Sequence, residues 1–509
     1  MPTDSSQRLT AVSPAVTVRG GFAAVLHAEW TKLRTVRGWV IGIAALPVMM
    51  VLFALLAGVS SDQHGSPPVP IGPGGEPVTD NFYFVHRSLT GNGSITVSVS
   101  ALTEDISAKL TPGTVPWAKA GLIIKAGTSP GSPYAAIMVT GGHGVRMQDD
   151  YVNDAPGLPG SVSAASPRWL RLDRSGDAVS GYDSADGVHW ARVGTVHVAG
   201  LGSTVQGGLF VASPDSAQGF GTVTTVSTAV FNGLLIRGTW LGGQWTGGQV
   251  GPASSAGDHP AFAPGMFTQS NGTLTVTGTG DIAPAVRASL GTAGVIADIL
   301  FGTFPGLITV IVIGARFITA EYRDALIRVT FAASPNRGRV LAAKAIVLGG
   351  ATFFAAVAGV LVAVPLGRRL ARAHGVYLFP ATPATLLRVE LGTAALLATA
   401  SILALGVGTV LRRGAGAVTA VTLAVVLPYL LVAQLPFLPA EVSDWLARLT
   451  PAAAFAVQQT LVPHPQVASL YTPYNGYYPL APWAGLAVLA GYAAVSLAVA
   501  AATLRTRDV

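Results

Sequence analysis

Cysteine is absent from the 509 residues, which removes disulfides, thiolate metal centres and thiol nucleophiles together. Charge is scarce as well: 11% of the residues are Asp, Glu, Lys or Arg, against about 25% in soluble domains. Lysine is the rarest cation, and none of Lys32, Lys109, Lys119, Lys125 and Lys344 follows a glycine. A P-loop needs Gly-Lys before Ser or Thr, because backbone amides cradle the phosphates while the lysine reaches the β and γ positions. No Walker A site is present, so any nucleotide chemistry belongs to another polypeptide. Between residues 60 and 292 the only glutamates are Glu76 and Glu104. Hydrolysis of a glycoside needs two carboxyls about 5 to 9.5 Å apart, and no strand here carries such a glutamate pair, which leaves aspartates alone to supply one.

What the chain has in abundance is apolar sequence. Six windows, about 39–59, 294–315, 340–366, 389–411, 415–438 and 480–503, reach the roughly 20 residues that cross a hydrocarbon core. The first is too long and too far from the terminus for a cleaved signal, whose apolar region is about 7 to 15 residues. An even number of spans returns both termini to one side, and cations in short loops mark that side as cytoplasmic. Arg8, Arg19, Lys32, Arg34, Arg37, Arg316, Arg323, Arg328, Arg337, Arg339, Lys344, Arg412, Arg413, Arg505 and Arg507 fall on it. Arg368, Arg369, Arg372, Arg388 and Arg448 fall opposite, and the cluster GRRLAR at 367–372 is the dissenting group. Orientation thus accounts for the net charge of +7 without nucleic acid.

Residues 60–292 follow a different grammar. A Pro/Gly/Ser linker precedes short alternating runs such as SITVSVSAL, KAGLIIKAG and GTLTVTGTG, separated by Gly, Asp and Asn turns, the pattern of antiparallel strands. In SADGVHW, Asp186 and Gly187 stand at a hairpin position that needs positive φ. The fold expected is an α-helical membrane protein of six transmembrane helices, with an all-β antiparallel sandwich, jelly-roll-like, inserted between helices 1 and 2. Its parts are a cytoplasmic tail and amphipathic interfacial helix (1–38), helix 1 (39–59), the extracytoplasmic β domain with linkers (60–292), and helices 2–6 (293–509). Trp117, Trp169, Trp190, Trp240 and Trp245 either fill the inter-sheet layer or stack on sugar rings. Asp149, Asp150, Asp183 and Asp186 either shape turns or ligate calcium. The stretch PRWLRLDRSGDAVSGYDSADGVHWARVG, with PWAKAGLIIKAG before it, resembles the concanavalin A-like lectin/glucanase group. That resemblance makes Trp117, Trp169, Asp183, Asp186 and Trp190 the candidate glycan contacts, in a binding rather than a hydrolytic domain.

The charged segment EYRDALIRVTFAASPNRGRVLAAKA (321–345) sits between two spans. Tyr322, Ala325, Leu326 and Val329 recur on one helical face, Asp324 stands four residues before Arg328, and Pro335 ends the helix. A second amphipathic helix precedes span 1, with Phe22, Val25, Leu26, Leu33 and Val36 on its apolar side. Glu29 lies inside that stripe, where an unpaired carboxylate is costly; Lys32 or an arginine from 316–328 is the expected partner. These cations either bind anionic headgroups and fix topology or form a docking site for a protein.

Here AEWTKLRTVRGWV, ITAEYRDALIRVTFAASPNRGRVLAAK, the six spans, PAAAFAVQQTL and the terminal LRTRDV together look like a membrane subunit of the ABC exporter permeases of the second type. The resemblance implies a homodimer in a plasma membrane, which the Arg-over-Lys, Ala/Gly-rich composition suggests is bacterial, driven by a separate ATPase subunit that carries ATP and Mg. It also implies that the interfacial helix and a cytoplasmic coupling loop, 317–340, press on that ATPase. The coupling residues are then Glu29, Trp30, Lys32, Glu321, Tyr322, Arg323, Asp324, Arg328, Arg337 and Arg339. The inserted β domain departs from the family's common short loop and leaves the substrate open.

Two rival classes remain. A membrane-anchored envelope receptor for glycans would need only one span. A proton-coupled transporter would need a deep intramembrane acid, whereas Asp298 and Glu390 lie near outer helix ends, and Gln434, Pro428 and Tyr429 either line a conduit or hold helices together. Between spans 5 and 6, residues 441–462 read as two short outer re-entrant helices broken at Pro451, returning to the outer surface.

Overall fold

The computed structural model describes residues 21–60, 63–64, 68–106, 111–218, 221–252, 265–290, 293–323, 326–334, 336–435 and 438–506. Arg8, Arg19, Asp324, Ala325, Pro335 and Arg507 lie outside the described residues. Six helices are long and apolar enough to cross a membrane: Arg37–Val59, Ile296–Arg323, Arg337–Ala373, Pro383–Leu411, Gly414–Gln434 and Pro482–Thr506. They are called spans 1 to 6. Spans 1 and 2 pack antiparallel and spans 1 and 3 parallel, closely where side chains vanish, as small-residue helix interfaces do. A Cβ on Gly302 would stand 2.8 Å from Met50 Cα, and one on Gly359 would stand 2.8 Å from Pro47 Cα. The shared core runs through Leu46, Leu307, Val360, Leu397, Val421 and Phe455.

Span 3 has 37 residues, about 55 Å at 1.5 Å per residue, well beyond a hydrocarbon core of about 30 Å. Arg368, Arg369 and Arg372 therefore ride on the last turns of one continuous helix and not in a short loop, where the cation rule applies. Span 2 differs from expectation in the other direction. It stays helical through Arg323, so Glu321, Tyr322 and Arg323 belong to its last turn and not to a separate surface helix. The next described helix is Leu326–Ala333. That helix buries Ile327 and leaves Leu326 and Val329 exposed, the reverse of the apolar face read from spacing.

Beyond a π-helical turn at Leu430–Gln434, helix Ala440–Leu449 is followed by a 3₁₀ segment, Pro451–Gln458, in which every residue is buried. The first half of the 441–462 expectation is a helix; the second half does not return to the surface. PAAAFAVQ has one polar side chain, and Gln458 Nε2 donates to Thr303 and Thr393 Oγ1 at 3.1 Å each, so the segment fits inside the bundle.

The β domain is antiparallel. Strands Val78–Ile106 and Thr225–Val250 run side by side through four register breaks and carry the ladders of both halves. One half adds strands from 119 to 156, the other strands from 168 to 197. The halves close around one core, where Leu122 and Ile137 meet Leu170, Leu172 and Val179. A second apolar cluster, including Phe82, Phe84, Ile123, Met138 and Phe210, occupies the opposite face of the first half. The first strand's start pairs with Asp281–Pro284, Val78 opposite Pro284, so the chain enters and leaves the domain at one place.

Candidate functional site

The helix Phe22–Thr35 begins after Gly21 and buries only Glu29 and Leu33. Glu29 is 1% exposed, as its place in the apolar stripe requires, and it is held by two cations. Lys32 Nζ reaches Glu29 Oε1 at 3.0 Å, and Lys344 Nζ reaches Glu29 Oε2 at 2.8 Å. Both lysines also meet Glu321 Oε1, Lys32 at 3.1 Å and Lys344 at 2.5 Å. Lys344 is fully buried and lies 4.9 Å from the Phe317 ring centroid. Two carboxylates and two ammonium groups thus join the leading helix to the ends of spans 2 and 3. Burial pulls the Lys32 ammonium down, but Glu321 and Glu29 outweigh that and raise it above the ordinary lysine value.

Such a cluster fixes geometry more than it adds stability. Desolvating each ion costs several kcal/mol, about what its partners return, whereas removing one member leaves its partners buried and uncompensated. Lys344 was not among the residues singled out from sequence; five residues into an apolar helix, it read as a marker of the membrane boundary. Of the partners offered for Glu29, Lys32 serves, while Arg316 and Arg328 form no ion pair with it among the described residues; two further arginines nearby are engaged elsewhere. Arg412 lies 5.2 Å from the Tyr322 ring, and Arg337 donates to the Leu504 carbonyl and lies 5.4 Å from the Phe331 ring, clasping span 6. Of the sequence candidates, Glu29, Lys32 and Glu321 converge, and Tyr322, Arg323 and Arg337 flank them. Trp30, 45% exposed, Arg328 and Arg339 face outward, and Asp324 is outside the described residues.

The β-domain candidates do not form one open site. Trp117 is buried, stacked on His143 at 4.0 Å with Arg146 at 5.7 Å. Trp169 lies under the hairpin, where a Cβ on Gly187 would come within 2.9 Å of its ring. Trp190 packs against Arg171, which is also 4.3 Å from the Tyr182 ring. Asp183 is buried and accepts from the Leu158 amide; burial raises its carboxyl. Asp186 accepts from the amides of Val188 and His189 and pairs with His189 Nδ1 at 2.7 Å. Those bonds hold the Asp186 carboxyl well below the usual range and shape the hairpin. Asp149 and Asp150 likewise shape a turn: Asp150 has φ +43° and accepts from the Tyr134 amide. Among the described residues no group of three acids or histidines converges as metal ligands do. Trp240 and Trp245 pack against the inter-layer core.

Buried ion pairs also fasten the β domain where it meets its linkers. Lys125 Nζ reaches Asp80 Oδ2 at 2.8 Å and Tyr151 Oη at 2.7 Å, and Lys119 Nζ reaches Asp281 Oδ1 at 2.6 Å. Burial lowers the Lys125 ammonium despite Asp80. At the interface with the helical part, Gln466 Nε2 donates to the Val152 carbonyl at 3.0 Å.

No family model matches the chain, and no curated protein matches it. Solved structures similar to part of it include a functionally unknown protein from Saccharomyces cerevisiae, with TM-score 0.22 and 14% identity, covering 32% of this chain and 76% of that one. A GH43 protein, BlXynB, from Bacillus licheniformis has TM-score 0.20 and 15% identity, covering 29% and 28%. A scytalido-glutamic peptidase has TM-score 0.26 and 8% identity, covering 39% and 98%. At these scores the likenesses carry no argument about fold or activity, and the chain's own geometry is what remains to reason from.

Proposed function

We propose that this chain is the permease subunit of an ATP-driven ABC exporter, coupled to a separate ATPase through its leading helix and the end of span 2. The observation that carries the reading is the joint of Glu29, Lys32, Glu321 and Lys344. It makes a rigid unit of one interfacial helix and two spans, at the end of the bundle away from the β domain, and a soluble motor would push there. Arg323 and Arg328 stand exposed beside it, as contacts to a partner would. The β domain, a jelly-roll-like sandwich in this reading, binds or orients a glycan, the substrate or a partner outside the membrane. ATP and Mg belong to the motor subunit, and the permease pairs with itself.

The test is whether the full chain co-purifies from its host with a soluble ATPase, followed by ATPase assays of the pair in proteoliposomes. Incorporation of the permease is expected to change the ATPase rate, and Arg323→Glu or Arg328→Glu is expected to abolish that change while expression persists. No association with any ATPase would leave the anchored-receptor class in its place.

A further inference from the structure

Next to the buried joint lies a cavity of about 1570 Å³ between the leading helix, span 2, helix Leu326–Ala333 and the start of span 5. Lys32, Arg316, Arg323, Arg412 and Arg413 line it, against two carboxylates, Glu29 and Glu321. Both acids are already taken up by Lys344 and Lys32. Arg316 and Arg413 are exposed and enter no ion pair among the described residues. Span 5 opens its N-terminus into the same space: Gly414 and Ala415 line the cavity, and no side chain caps that 16-residue helix, so its first amides add to the positive field. Arg316 lies seven residues back along span 2 from Arg323, about 10 Å, inside a helix long and apolar enough to cross a membrane, where a long cationic side chain extends toward the lipid headgroups. Apolar side chains line the cavity as well, with Val36 47%, Leu326 54% and Val329 67% exposed, and Trp39 is among them, a residue type favoured at lipid interfaces.

We infer that this cavity holds the headgroup of an anionic phospholipid from the leaflet on the leading helix's side, its phosphate between Arg316 and Arg413 and its acyl chains along Val36 and Val329. The inference rests on the chain crossing a membrane and needs no transport activity; a receptor with these helices would carry the same site. Its failure and that of the permease reading are therefore separable.

The experiment uses the full chain in an uncharged detergent, titrated with dioctanoyl phosphatidylglycerol, dioctanoyl phosphatidylcholine or inorganic phosphate while thermal unfolding is followed. A saturable rise in Tm with phosphatidylglycerol alone is expected. Each cation near a headgroup is worth about fivefold in affinity, so Arg316→Gln/Arg413→Gln should weaken binding about 25-fold. If that pair fails to fold, the single variants should each lose about fivefold, with Arg316→Lys and Arg413→Lys losing less. Arg368→Gln/Arg369→Gln, at the other end of the bundle, should bind as the parent does. Equal effects of the two lipids, an equal effect of phosphate alone, or unchanged binding by the Arg316 and Arg413 variants would overturn the site.

Discussion

Lys344 is the residue on which the helical joint turns. Its ammonium is shared by Glu29 and Glu321, and no water-exposed path replaces it at 0% exposure. Lys344→Met is expected to destabilise the chain by about 3 to 5 kcal/mol, because it leaves two carboxylates short of a counter-ion. Glu29→Met/Lys344→Met should be closer to the parent, since Glu321 keeps Lys32 at 3.1 Å and a well-packed apolar pair replaces a desolvated ionic one. Thermal unfolding of the three proteins in detergent orders them, and a double variant worse than the single would refute the account. Lys32 supplies a pH prediction. Its folded value is raised, with burial opposed and exceeded by Glu321 and Glu29. The stabilisation it brings is thus complete below the ordinary lysine value of 10.5 and is lost as pH rises through the higher folded value. In Lys32→Met, the part of the alkaline loss of Tm that lies above that value should shrink; an identical alkaline profile would show that Lys32 contributes nothing there.

At the level of single elements, the chain turns at Asp186-Gly187 as the sequence suggests, although only Gly187 and not Asp186 has positive φ and residues 185–190 separate the strands. Ser184 and Asp186 cap the turn's amides, and Gly187 has φ +75° over the Trp169 ring. Gly187→Val meets both the backbone penalty and the ring, and should cost the β domain about 2 to 4 kcal/mol, read as protease cleavage near residue 188 and a lower unfolding temperature for that domain. Gly176→Val, also at positive φ but with no atom within 4 Å of its added carbon, should cost less. This hairpin was legible because Asp-Gly between alternating runs is a local signal. The Glu29 anomaly was legible too, since a carboxylate in an apolar stripe stands out on a helical wheel. Its main partner was not: residues 29 and 344 meet only through the packing of three helices, and a lysine inside an apolar run reads as a border. The same error shortened span 2, where Arg316 and Glu321 seemed to mark an exit although the helix runs on through both. The tryptophans show the limit from the other side, because alternation on a strand says that a side chain is on one face but not whether Arg171 or His143 already covers it.

The molecule as a whole is two bodies joined through a paired pair of strand ends, Val78 with Pro284, and a few polar contacts such as Gln466 with Val152. Spans that alternate in direction put the β domain and the Glu29 joint at opposite ends of the bundle, so the two must face different compartments if the helices cross a membrane. The absence of cysteine makes this directly measurable, because each introduced thiol is the only one in the chain. Val188→Cys, at a position 73% exposed on the β domain, should react with a membrane-impermeant maleimide in intact cells. Asn336→Cys, exposed just before span 3, should react only after permeabilisation if the excess of arginine and lysine at that end sets the orientation. Labelling of both in intact cells would place the joint and the β domain on one side and remove the membrane-crossing arrangement. Labelling of Asn336→Cys alone would invert the orientation, and with it the side from which any cytoplasmic motor could reach Arg323 and Arg328.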